Sequence, residues 1–145
     1  MFLGKYFLKF DKDMRLSIPS QFREELAGPI YITQGFDRNL LVLTKTAFQE
    51  IYRRVGSLNM ADPLARILLR MILGTAYELH MDKNGHLMIP AELKEFANLQ
   101  GDILLVGQGD YFEIWSAALW NNQEAQLKDA DANSSRFSKL TVATR

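Results

Sequence analysis

The stretch Asp11-Lys12-Asp13-Met14-Arg15-Leu16-Ser17-Ile18-Pro19 returns 71 residues later as Asp82-Lys83-Asn84-Gly85-His86-Leu87-Met88-Ile89-Pro90. Working outward, the same shift lays Tyr6 on Tyr77, Leu8 on Leu79 and Glu24 on Glu95, which makes eight identities over the 19 positions from 6 to 24. Phe22/Leu93 and Arg23/Lys94 are close substitutions in the same frame. With small offsets, Gln34-Gly35 meets Gln108-Gly109, and Leu43-Thr44 meets Trp115-Ser116. So many matches in one order mark an internal duplication, and a duplication governs how the rest of the chain is read.

Each copy reads as strand, tight turn, strand, short helix, two further strands and a longer helix. Tyr6, Leu8 and Phe10 alternate with Lys5, Phe7 and Lys9, and Tyr77, Leu79 and Met81 repeat the pattern. A period of two is that of a half-buried strand. In Lys83-Asn84-Gly85 the Asn-Gly pair predicts a hairpin turn with both residues at positive φ. Asp13-Met14 stands there in the first copy. A left-handed methionine costs about 1 kcal/mol or more, so a different turn is expected. Pro19 and Pro90 end the second strands, and Ser20 is the expected N-cap of a helix over 21–26 that stops at Gly28.

Strands are expected over 30–33 and 40–43, around a turn at 35–39, and over 103–106 and 112–115 in the second copy. Thr44 and Ser116 then cap helices running to about 55 and about 127. Asp62-Pro63 opens an apolar helix over 64–73, with Arg66 and Arg70 on one face. That connector is too hydrophobic for a free linker. It serves the internal core or a neighbouring subunit, with burial inside the chain the default. The polar segment 128–145, with Arg136, Lys139 and Arg145, reads as a flexible tail. The organisation is therefore a first unit at 5–47, a helical connector at 48–75, a second unit at 76–119, and a helix with a tail at 120–145.

At 145 residues and 48% hydrophobic content the chain has material for one core or two closely packed ones. It has no cysteine, which fits a reducing cytoplasm and excludes a disulfide framework or a thiolate metal site. Residues 1–5 show no signal-peptide pattern, and no run approaches the roughly 18 apolar residues of a membrane span. A soluble cytoplasmic protein without a membrane partner is expected. Net charge is zero, but residues 1–72 carry 11 Lys and Arg against 7 acids, and residues 73–145 carry 6 against 10. Phosphate attraction follows the local charge more than the total.

No Gly-rich phosphate loop and no Ser–His–Asp set in a workable order is found, and Glu24-Glu25 and Asp129/Asp131 read as solvated faces. No enzyme activity, cofactor or small-molecule substrate is expected. His80, Asp82 and His86 lack a fourth metal ligand. The two histidines align with Lys9 and Arg15, and read better as drifted basic positions.

On the two Asp-led turns, the Met1-Phe2-x-Gly4 start, Phe22-Arg23-Glu24 and Glu113-Ile114-Trp115-Ser116, the chain resembles the MraZ family of bacterial transcriptional regulators. The resemblance covers nearly everything before about residue 128. It implies an α+β, mainly β fold: two fused AbrB-type swapped-hairpin units forming a pseudo-twofold β-barrel with peripheral helices. It also implies assembly into a homo-oligomeric ring on short direct repeats of double-stranded promoter DNA, in the nucleoid. The promoter is that of the division and cell-wall gene cluster.

By position, Arg15 is the DNA-facing arginine with Asp11 as its paired acid. In the second copy Asp82 is kept, but His86 replaces the arginine, and in the first Met14 replaces the usual glycine. A neutral imidazole forms no permanently charged fork. An arginine past a hairpin turn suits the major groove. Lys5, Lys9, Lys12 and Lys83 are placed to bind phosphates, and Asp11 and Asp82 to organise the turns. Two alternatives stay open. Arg15 can simply pair with Asp11 or Asp13, and the fold can serve as a protein-interaction module, antitoxin-like or otherwise, that has lost DNA binding.

Overall fold

The computed structural model of the chain describes residues 1–140. The first repeat supplies β1 (Lys5–Lys9), β2 (Leu16–Ser17), α1 (Ser20–Glu25), β3 (Ile30–Gln34), β4 (Leu40–Thr44) and α2 (Lys45–Gly56). Helix α3 (Pro63–Ile72) leads into β5 (Tyr77–Leu79), β6 (His86–Leu87), α4 (Ala91–Phe96), β7 (Asp102–Gly107), β8 (Tyr111–Ser116) and α5 (Ala117–Lys128). A last helix, α6 (Ala130–Phe137), follows. The fold is α+β, but helices hold more residues than strands, so it is not mainly β. The short β2, β5 and β6, and a helix where a flexible tail was expected, account for the difference.

The strands pair across the duplication. One antiparallel sheet runs β1-β7-β8-β4-β3-β5, and β2 and β6 form a second small sheet. β1 lies on β7 of the other repeat, from Lys5↔Val106 to Lys9↔Asp102. β5 lies on β3, with Ile30 opposite Leu79. The strands on either side of each turn therefore form no ladder with each other, unlike the hairpins that the alternation suggested. The ladder is also open, because β1 and β5 end it without pairing. Strand pairing closes no barrel among the described residues.

The core explains why the two halves cannot separate. Leu16 and Leu87 face each other in the β2–β6 pair and are both fully buried. Their neighbours Ile18 and Ile89, and Phe22 and Leu93 on α1 and α4, are buried beside them. These are repeat-equivalent positions, so the centre of the core consists of the duplicated motif meeting itself. Phe2 joins Phe22 and Phe112 with ring centroids 5.2 Å from each, and Tyr6 lies 5.0 Å from Phe22.

The capping chemistry places the helices. Thr44 Oγ1 accepts from Ala47 N–H at 3.1 Å, and Ser116 Oγ from Leu119 N–H at 3.3 Å. Asp62 Oδ1 accepts from Leu64 N–H at 2.9 Å, with Pro63 at the first helical position. Ser20 does not cap α1; Pro19 takes the N-cap place without a side-chain bond, and Ser20 begins the helix. In the former tail, Asp129 caps α6 through Ala132 N–H, and buried Asn133 donates to Gln126 O at 2.7 Å. Arg145 and the rest of 141–145 lie outside the described residues. Helix α3 is less buried than expected. Ala65 and Ile72 are inside, but Leu64 is 74% and Ile67 59% exposed.

Because both halves share one core, Leu16→Ala and Leu87→Ala should each destabilise the whole chain by about 2–5 kcal/mol. Urea unfolding followed by tryptophan fluorescence and by far-UV circular dichroism should show one coincident transition. Two separate transitions would mean that the repeats fold independently.

Candidate nucleic-acid interface

Each aspartate closes its own turn. Asp11 Oδ1 accepts from Asp13 N–H at 2.8 Å and Arg15 N–H at 3.0 Å, while Met14 N–H donates to Asp11 O at 3.0 Å. The second turn repeats this: Asp82 Oδ1 accepts from Asn84 N–H at 2.8 Å and His86 N–H at 2.9 Å, and Gly85 N–H donates to Asp82 O at 3.0 Å. The turns are thus of one kind, each with its fourth residue left-handed: Met14 at φ 61 and Gly85 at φ 79. Two expectations are corrected here. Asn84 is not left-handed, and Met14 does not switch the turn type. The aspartate side chain gathers the third and fifth N–H groups in both copies, so the geometry follows the aspartate and the methionine bears the strain.

The same bonds set the carboxyl chemistry. The Arg15 N–H, then the Asp13 N–H and the Arg15 charge, hold Asp11 below its ordinary value of 3.8 against some desolvation. The His86 N–H, then the Asn84 N–H, do the same for Asp82.

The small β2–β6 sheet sets the two turns side by side, and Arg15 joins them. Its Nε lies 3.3 Å from Asp11 Oδ2, its Nη2 3.2 Å from Asp13 Oδ2 and its Nη1 3.5 Å from Asp82 Oδ2, with the side chain 34% exposed. His86 Nδ1 is also 3.5 Å from Asp82 Oδ2, but the geometry makes no hydrogen bond and the atom has no other partner. Lys12 and Lys83 are exposed within the turns. Lys9 ends β1 and pairs with Asp102 at 3.5 Å. Lys5 stands at the other end of β1, its Nζ 5.9 Å from the Trp120 ring centroid on α5. The structure therefore gathers Asp11, Lys12, Arg15, Asp82, Lys83 and His86, and leaves Lys5 apart.

A residue outside the motif joins them. Arg23, exposed on α1 of the first repeat, crosses to the second turn and donates from Nη1 to Asn84 O at 3.3 Å. It lies over Gly85, where a Cβ would overlap its Cδ and Nη1. Lys94, its counterpart, instead sits with Nζ 5.6 Å from the Phe10 ring centroid. The signal was present in the sequence as a basic residue at one place in both copies. Its partner across the repeats was not. Among the described residues no group of three His, Cys, Asp or Glu could hold a metal ion, and no helix is long and apolar enough to cross a membrane.

Two outcomes test this geometry. Met14→Gly relieves a left-handed side chain and should stabilise the protein by roughly 0.5–1 kcal/mol in chemical denaturation. Asp11 and Asp82 have depressed folded pKa values, so their stabilisation is complete above the ordinary 3.8 and disappears as pH falls through the lower folded values. Between pH 7 and pH 3 the Asp11→Asn, Asp82→Asn double variant should lose less melting temperature than the parent; an equal loss would place the acid sensitivity elsewhere.

The family described as "MraZ protein, putative antitoxin-like" matches residues 1–71 and again residues 72–140. A "Transcriptional regulator MraZ" of Roseiflexus castenholzii is 38% identical over 145 residues, covering 100% of this chain and 99% of its own length. A protein of the same name from Mycolicibacterium smegmatis is 36% identical over 144 residues, 99% of this chain and 96% of its own length. Another from Mycobacterium bovis is 36% identical over 124 residues, 86% of this chain and 87% of its own length. The family boundary falls between the two repeats, and both repeats are covered, so the chain belongs to the MraZ family.

Proposed function

We propose that the chain is a DNA-binding transcriptional regulator, not an enzyme, and that it reads promoter DNA with the two turns. The observation that carries this is their convergence into one surface that presents Lys12, Arg15, Lys83 and Arg23. The regulatory role of the relatives supports it. Lysines on the turns contact phosphates and set the register, while Arg15 reaches base edges in the major groove. The carboxylates around Arg15 do not forbid this. Ion pairs at such solvent-accessible sites contribute about 0.2–1 kcal/mol each. Giving up all three therefore costs about as much as the roughly 1–3 kcal/mol of a bidentate arginine–guanine contact, and the phosphate contacts of the lysines tip the balance. The acids meanwhile repel phosphates, which lowers binding to irrelevant DNA.

The finer architecture belongs to the same proposal. The turns act as an AbrB-type swapped-hairpin pair, a reading that the exchange of β1 and β5 between repeats supports. Copies of the chain join in a ring, with exposed Leu64 and Ile67 and the adjoining cleft lined by Phe36, Leu68 and Ile72 as a contact surface. Several turn pairs then meet several direct repeats at the promoter of the division and cell-wall cluster, in the cytoplasm on the nucleoid. Linking such weak sites gains roughly 100- to 10,000-fold in affinity. The competing reading, a protein-interaction module without DNA binding, draws on the carboxylates that already surround Arg15.

Fluorescence anisotropy on the upstream promoter and on a scrambled duplex, at two salt concentrations, separates the two. The parent should prefer the promoter and weaken with salt. Arg15→Gln should lower promoter affinity by roughly 5- to 150-fold, the equivalent of about 1–3 kcal/mol, while the chain stays folded with at most a modest drop in melting temperature. A folded Arg15→Gln variant that binds like the parent would overturn the site.

A further inference from the structure

The two turns share a backbone but not a charge. In the first, Arg15 supplies a permanent cation; in the second, the same position is His86, whose imidazole is not one. Arg23 stands beside that second turn. Its guanidinium is the one at this surface with no carboxylate within ion-pair distance among the described residues, whereas Arg15 has three. Nη1 donates to Asn84 O, and Cδ, Nη1 and Nε all border Gly85, so this side of the guanidinium lies against the turn. The seat is shaped for it as well. Gly85 is buried, with the Arg23 side chain over it, while Met14, the equivalent residue, is 47% exposed and Lys94 holds its Nζ 5.6 Å from the Phe10 ring centroid.

Resting on the DNA-binding reading above, we infer that Arg23 is the second turn's DNA-contacting arginine and binds a backbone phosphate of the duplex where the first turn uses the arginine that the second lacks at position 86. A helix of the first repeat thus completes the binding surface of the second. One of the guanidinium's edges is already committed to the turn. With Nη1 and Nε both against the turn, neither two-nitrogen edge of the guanidinium is wholly free for the paired acceptors of a guanine, and a phosphate, which a single donor can serve, is the fitting partner. Loss of Arg23 should then weaken binding to every duplex alike, where loss of Arg15 should erase the preference for the promoter.

The test is a salt titration of the full-length parent and of Arg23→Gln, with promoter and scrambled duplexes. Removing one phosphate contact lowers the slope of log affinity against log salt by about 0.9, which sets the variant roughly eightfold weaker at about 0.1 M if the curves meet near 1 M. Arg23→Lys should keep the slope. His86→Arg, added to Arg23→Gln, should restore it by returning an arginine to the second turn, a rescue that a merely structural Arg23 would not allow. An Arg23→Gln variant with the parent's affinity and slope overturns this inference and leaves the DNA-binding reading standing. A parent that shows no salt-sensitive DNA binding overturns both.

Discussion

Leu16 opposite Leu87 is the contact on which the rest of the structure depends. Both side chains are fully buried, and each comes from the strand that leaves an aspartate-capped turn. Burying them against each other forces the second strands of the two repeats into one small antiparallel sheet. It therefore brings turns 71 positions apart in sequence to one surface. With β1 on β7 and β5 on β3, neither repeat has a complete sheet without the other. The core and the candidate interface are consequences of the same pairing.

That constraint shows why some features could be read from the residues and others could not. The duplication, the long strands β3, β4, β7 and β8, and the capped helices α2, α3 and α5 depend on neighbours in sequence, and each carried a local signal. Strand partners did not. Tyr6, Leu8 and Phe10 alternate in the same way whether they face Leu16 in a hairpin or β7 across the molecule. The Asn84-Gly85 pair misled for a related reason. It specifies a two-residue hairpin only when strands pair on both sides of it, and here Asp82 gathers the backbone instead. Helix α6 was hidden because its sequence is polar, and only Asp129 and the buried Asn133 tie it down.

The candidate site was legible to a similar degree. A motif repeated at fixed spacing points to Asp11, Arg15, Asp82 and His86, and all four meet at the β2–β6 sheet. What spacing could not show is that Arg15 spans both turns, or that Arg23 serves the turn of the opposite repeat. The near-symmetry of the fold thus carries an asymmetric surface. One turn has an arginine held among carboxylates, and the other borrows an arginine from a helix. A zero net charge is compatible with such a surface because the cations are concentrated by folding, not by composition.

The most direct measurement is site-specific photocrosslinking to promoter duplex, with the crosslinker placed in turn at positions 12 and 83 on the turns and at positions 49 and 122 on the exposed sides of α2 and α5. If the turns form one DNA-reading surface, positions 12 and 83 should both crosslink and positions 49 and 122 should not. Crosslinks confined to one turn, or running through the helices, would contradict it.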